Sequence, residues 1–270
     1  MDYLEIRELY HHGIKGQKWG VRRFQNEDGS LTPEGKIRYG NMVRKVARGV
    51  SSEVKPISKQ SIDISAVKKR GNLTSAEATE CSLLANKLFD KASSHDSMVT
   101  NDLLSTGVDL YGLNNRLKSP TSTAAKIGSI SKEEKIPFKK ALDRINDSLR
   151  YTVLSDDDNF VNDYKKVKSK MENKGYKEDV CKNYFQSYKD GKVKHKSVTS
   201  VFTTPDGFAF EIQFHTSSSQ AVKELKTPLY EEIRNANISQ LRKDFILKEM
   251  TNLAEMIDYP KDVFSIKSHT

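Results

Sequence analysis

In the segment Phe208-Ala209-Phe210-Glu211-Ile212-Gln213-Phe214-His215, polar and aromatic residues alternate. A period of two puts Phe208, Phe210, Ile212 and Phe214 on one side of a strand and Ala209, Glu211, Gln213 and His215 on the other. The apolar side is core. The other sets a carboxylate, a carboxamide and an imidazole in a row. A solvated sheet face, usually Lys, Thr and Glu, is the plain alternative. A second constellation is Arg116-Leu117-Lys118-Ser119-Pro120-Thr121-Ser122, with Lys126 on the same helix face as Ser122. Arg116 and Lys118 share a strand face before that helix. Three cations, one hydroxyl and a helix N-terminus make a triphosphate cradle. A third is Asp147-Ser148-Leu149-Arg150, where a carboxylate at a strand edge can hold Mg²⁺ facing phosphates. Taken singly, the second and third also fit a basic strand end and a capping Asp beside a surface Arg.

These groups need a scaffold. Apolar spacing predicts a helix over 75–92, capped by Thr74 or Ser75, with Leu83, Leu84, Leu88 and Phe89 as its stripe. A strand is expected at 108–117. Ser119 as N-cap and Pro120 at N1 then open a helix through Ile127, with a second helix at 132–146. Strands follow at 149–154, 177–184, 197–204 and 208–215, the last entered through the turn Pro205-Asp206-Gly207. A helix at 159–173 ends at Gly175, and two more close the domain at 217–236 and 239–257. Strands interleaved with helices predict an α/β (α+β) layer fold, a mixed sheet flanked by helices. The expected division is an N-terminal module at 1–45, a linker at 46–74, the main domain at 75–258 and a fraying tail at 259–270.

Length and charge bound the rest. The 270 residues, 36% hydrophobic and 30% charged, with 11 Phe and 11 Tyr, exclude a fully disordered chain. No run of 18 apolar residues exists, so no membrane partner is expected, and the N-terminus lacks the apolar core of an export signal. Two cysteines give neither a disulfide framework nor a metal knuckle. Of the net charge of +9, +7 lies in residues 1–71, a basic arm suited to an anionic partner or simply a solvated tail.

Together the three constellations resemble the RelA/SpoT nucleotidyltransferase (pyrophosphokinase) domain over about residues 76–236. The family's Arg-x-Lys-x-x-x-Ser-x-x-x-Lys phosphate grip is similar to Arg116, Lys118, Ser122 and Lys126. Its Mg²⁺-binding Asp and following strand Arg resemble Asp147 and Arg150, here three apart, with Asp143 a second candidate. Its Glu-x-Gln-x-(Arg/His)-Thr motif reads Glu211-Ile212-Gln213-Phe214-His215-Thr216. On the acceptor strand, His195 stands where the family has a base-stacking Tyr, and Thr199 where it has His or Asn. Lys182-Asn183-Tyr184-Phe185 resembles a segment of a divergent toxin and phage branch, which makes Lys182, with Tyr188, an acceptor-binding candidate.

The resemblance implies pyrophosphate transfer from ATP, with Mg²⁺ on Asp147 and Glu211. Arg116, Lys118, Ser122, Lys126 and Arg150 would lie on the ATP phosphates. Glu211 would be the base, and Gln213 and His215 would orient the acceptor or the metal shell. The acceptor stays open between a guanine nucleotide, an adenine nucleotide and an RNA 3′ end. No hydrolase activity is expected, since His95-Asp96 is a lone His-Asp pair. The stretch 10–39 resembles modules near the N-termini of phage virion-associated proteins. Trp19 and Phe24 would anchor it, and Lys15, Lys18, Arg22 and Arg23 would meet an acidic capsid surface. His11 and His12 have no partners at zinc spacing. The implied location is the host cytoplasm or the phage virion. A non-catalytic virion or interaction protein keeping the fold is the alternative.

Overall fold

A computed structural model describes residue 54 and residues 56–189, 195–235 and 238–270. The module expected at 10–39 lies outside the described residues. The first described helix, α1 (Ile64–Gly71), is capped by Asp63, whose carboxylate accepts from the Ala66 amide. It falls where a linker was expected. Val67 is fully buried in a small core with Ala78, Cys81, Ala124 and Ile127, so the packed region starts before Ser75.

Helix α2 (Ser75–Ser105) opens on a capping box in which Thr74 and Glu77 satisfy each other's backbone N–H. It runs well past Ala92. Ala92, Val99 and Leu103 continue its buried stripe, and the polar stretch that reads as a stop buries His95 and Asp96 in pairs instead. The expected strand at 108–117 shrinks to β1 (Asp109–Tyr111). Gly112, at φ 66°, turns the chain into a 3-10 turn at Leu113–Asn115, and only Leu117 returns to pairing, as a bridge to Leu149. Helix α3 (Pro120–Glu134) starts at Ser119 as expected and runs further. Lys135 in the left-handed region then ends it, and Pro137 leaves room only for the short α4 (Phe138–Leu142) in place of a helix over 132–146.

Among the described residues there follow β2 (Arg150–Ser155), α5 (Phe160–Glu172), β3 (Lys177–Asn183), α6 (Tyr184–Lys189), β4 (Val198–Thr203), β5 (Ala209–Thr216), α7 (Ser217–Asn235), α8 (Gln240–Glu255) and a 3-10 turn at Val263–Ser265. The sheet order is β1-β2-β5-β4-β3, with β2 and β5 parallel and the other pairs antiparallel. The architecture is therefore a mixed five-stranded sheet flanked by helices, as the sequence predicts.

One sheet face is core. Tyr151 and Val153 of β2, Phe210, Ile212 and Phe214 of β5, and Val198 and Phe202 of β4 pack there with Phe89, Val99 and Leu103 of α2 and Tyr164, Val167 and Met171 of α5. The register fixes the other face. Arg150 pairs with Glu211 and Glu211 with Val201; Tyr111, Thr152, Gln213, Thr199 and Lys182 form the next row. The tail after Pro260, expected to fray, is docked. The carboxamide of Asn183 donates to the carbonyls of Val263 and Ile266, and His269 bridges to Cys181. No helix among the described residues is long and apolar enough to cross a membrane.

Candidate active site

The parallel pair β2/β5 positions the site. Arg150 and Glu211 are the first pair of the β2/β5 ladder, and the Glu211 amide donates to the Leu149 carbonyl at 3.0 Å. Asp147 lies just before β2. The loop from Leu117 into α3 runs alongside, with the Lys118 amide on the Ser148 carbonyl at 2.9 Å and the Arg150 amide on the Arg116 carbonyl at 2.8 Å.

Two lysines close on Asp147. Lys118 Nζ donates to its Oδ2 at 2.6 Å, and Lys126 Nζ lies 3.0 Å from its Oδ1. Lys126 is not aligned for a hydrogen bond, so Oδ1 is buried without one, as is the neighbouring Ser148 hydroxyl. Burial works to raise the Asp147 carboxyl, but Lys118 and Lys126 outweigh it and hold the group below its ordinary value. Burial, with Lys126 and Arg150 nearby, draws Lys118 below its ordinary value although Asp147 opposes. Glu211 goes the other way. Burial raises it, the hydrogen bond from Gln213 opposes, and the charge of Asp147 raises it further. Lys126 and Arg150 also act on Glu211, so these five groups share one locality.

Ser122 lies near the start of α3, one turn before Lys126. Its amide and hydroxyl are tied to the capping Ser119 at 3.3 and 3.0 Å. Gln213 donates through Nε2 to Glu211 and accepts from Lys223 Nζ at 2.6 Å. Lys223 is a residue the sequence reading missed, since a lysine on a helix ordinarily faces water. Burial and then Arg150 pull it down to about 8. His215 is buried, with Nδ1 2.9 Å from the Ser219 hydroxyl, and burial keeps it neutral.

Of the residues expected to meet an acceptor, the His195 ring sits against Tyr184, centroids 4.1 Å apart at 50°. His195 is exposed as a residue, yet its imidazole is flanked by protein; desolvation, then Lys226 and Lys223, lower it to about 4. Burial and the Glu211 charge raise Tyr184, which puts its hydroxyl in the same field. Tyr184 as a ring beside His195 was also missed. Its segment was visible in the sequence, but the contact spans the β3–β4 connection. Lys182 is exposed on β3, in the Gln213 row but two strands away. Tyr188 lies instead under Lys196, 4.6 Å from its ring centroid.

Arg116 departs from the expectation that it shares a phosphate-facing side with Lys118. The 3-10 turn breaks the strand alternation, and its guanidinium enters the core as a bidentate pair with Asp96. Asp143 is exposed, 3.9 Å from Lys140, outside the cluster. His95 stacks on Phe208 at 4.3 Å and pairs with Asp206 at 2.8 Å. Among the described residues, no three His, Cys, Asp or Glu side chains form a metal-binding group.

No family model matches the chain, and no curated protein does. Among solved structures it is similar to the small alarmone synthetase 1 from Bacillus subtilis bound to its product pppGpp. The identity is 19% and the TM-score 0.38, over 52% of this chain and 69% of that one.

Proposed function

We propose that the chain is a pyrophosphokinase that moves the β,γ-diphosphate of ATP to the 3′-hydroxyl of a nucleotide or RNA. The observation that carries the reading is the gathering of Lys118, Lys126 and Arg150 around Asp147 and Glu211 at the start of the β2/β5 pair. The reading also draws on the motif resemblance to the RelA/SpoT domain.

The chemistry is one displacement. The acceptor 3′-oxygen bonds to the β-phosphorus of ATP, the bond from that phosphorus to the α,β-bridging oxygen breaks, and AMP leaves with that oxygen. The hydroxyl proton passes to Glu211. A carboxylate raised by burial is a better base than an ordinary one. Lys118, Lys126 and Arg150 neutralise charge on the transferring phosphates, a preorganised electrostatic role. In binding, the phosphates compete with Asp147 for the two lysines. Asp147, with one buried oxygen lacking a hydrogen bond, and Glu211 offer the hard oxygen donors that suit Mg²⁺, which commonly takes one or two carboxylates plus substrate phosphates. Bound there, Mg²⁺ would supply charge neutralisation on the ATP phosphates. Tyr184 and His195 offer rings to the acceptor base.

The experiment is a transfer assay with γ-labelled ATP and Mg²⁺, offering GDP or GTP, AMP, ADP or ATP, and bulk tRNA in turn. Label moving to one acceptor, and lost in Glu211→Gln, is the expected result and names the substrate. No transfer to any acceptor sinks the reading and leaves a non-catalytic interaction protein on this fold. Virion association through residues 10–39 is a separate proposal, read by whether purified virions carry the chain.

A further inference from the structure

Gln213 stands between two side chains of opposite hydrogen-bonding character. Lys223 Nζ lies 2.6 Å from its Oε1, and its Nε2 donates to Glu211. An ammonium only donates and a carboxylate only accepts. A carboxamide can ordinarily be turned end for end with little to choose between the two settings. Here the turned setting would face N–H against ammonium and C=O against carboxylate. One orientation satisfies both neighbours and the other satisfies neither.

The lysine is itself held in place. Thr216 and Ser219 cap each other at the start of α7: the Thr216 amide donates to the Ser219 hydroxyl at 2.9 Å, and the Ser219 amide to the Thr216 hydroxyl at 3.1 Å. His215 adds a third contact to Ser219 at 2.9 Å. Lys223 follows Ser219 by four residues, on the same helix face. Strand β5 thus fixes Gln213 directly and fixes Lys223 through the cap that ends it.

We propose that Lys223 is a positioning residue: it locks the Gln213 carboxamide with Nε2 toward Glu211, and so holds the Glu211 carboxylate in one rotamer. The catalytic consequence rests on the reading of Glu211 as the base; the orientation of the amide does not. One Nε2 proton and one Oε1 lone pair remain for a ligand.

The test reads Gln213 directly. In proton–nitrogen correlation spectra, its side-chain amide, assigned through Gln213→Leu, gives a pair of proton signals whose positions and exchange report its partners. In the wild type one is expected to be displaced by its carboxylate partner and slow to exchange with water. Lys223→Met, which leaves only the Glu211 contact to hold the amide, should move the displaced proton back toward its free position and speed its exchange with water. Lys223→Arg, whose guanidinium also only donates, should keep the displaced signal. A general loosening of the helix would not separate Arg from Met in this way. In the transfer assay Lys223→Met should lower kcat roughly 10- to 100-fold, the usual cost of losing an orienting partner, with KM for ATP unchanged and the Arg variant restored. Free-glutamine behaviour of Gln213 in the wild type overturns the proposal even if Lys223→Met does not fold. So does a Gln213 signal unchanged in a folded Met variant. If the wild type transfers to no acceptor, the pyrophosphokinase reading fails, while the spectra still decide the lock.

Discussion

Arg116 holds Asp96 with two parallel hydrogen bonds, Nε to Oδ1 at 2.5 Å and Nη2 to Oδ2 at 2.7 Å, and is itself only 3% exposed. Thr100 and Tyr151 complete the network: the Thr100 hydroxyl donates to Asp96, and the two hydroxyls lie 2.8 Å apart. Removing one partner of a buried pair leaves an uncompensated charge, which costs about 3–5 kcal/mol. Arg116→Met should therefore lower the unfolding free energy obtained from urea titration by that much, and Asp96→Leu by a similar amount. The double variant should lose less than the sum. An unchanged midpoint with lost ATP binding would move Arg116 from a structural role to the proposed phosphate site.

How much of this could be read from the chain depends on whether local pattern or distant contact decides each residue. The β5 alternation was legible because burying four aromatic or branched side chains on one face leaves only one register for Glu211 and Gln213. Ser119-Pro120 was legible because a cap and an N1 proline act within one turn. Arg116 was not, because its direction depends on a turn at Gly112 that breaks the period and on Asp96 in a helix that reads as ended. Lys223 was invisible for the same reason: its role exists only across the β5–α7 cap. The tail was misread because its anchor, Asn183, lies 80 residues upstream of Val263.

The Pro205-Asp206-Gly207 turn is tied to α2 through Asp206 and His95. The hydrogen bond from Thr204, then that from His95, lowers Asp206 below its usual 3.8. A carboxyl lowered in the folded state adds stability above its unfolded pKa and loses it as pH falls through the folded one. Asp206→Asn should thus shift the urea midpoint at pH 7, and the gap from wild type should close as pH drops below about 3.8. A gap that persists at low pH would mean the substitution acts through packing.

Gly128 faces Leu73 across the α1–α3 contact. A Cβ there would meet Leu73 Cδ1 at 2.5 Å and Cγ at 3.0 Å. Leu73 is buried at 7% exposure, so it cannot simply swing into water. Gly128→Ala should destabilise by about 1–3 kcal/mol despite the better helix propensity of alanine. The double variant Gly128→Ala with Leu73→Ala should lose less than the sum of the two single variants, since the shortened side chain vacates the space. A stabilised single variant would mean that residues 63–73 do not pack on α3.

Both cysteines are free and fully buried, in different cores. Burial, with Glu80 and Glu77 adding to it, pushes the Cys81 thiol up to about 11. Burial also raises Cys181, although the Tyr164 hydroxyl, 3.4 Å from its sulfur, works against it. The thiolate is the reactive form, so at pH 8 neither should react with iodoacetamide in the native protein, and both should in urea. The rates should then report local opening. Cys81 sits where α2 meets α1 and α3, and Cys181 under the sheet edge that the docked tail covers. Asn183→Ala, which frees the tail, should speed labelling of Cys181 and leave Cys81 unchanged. Equal acceleration of both would mean that the tail holds the whole domain rather than one edge.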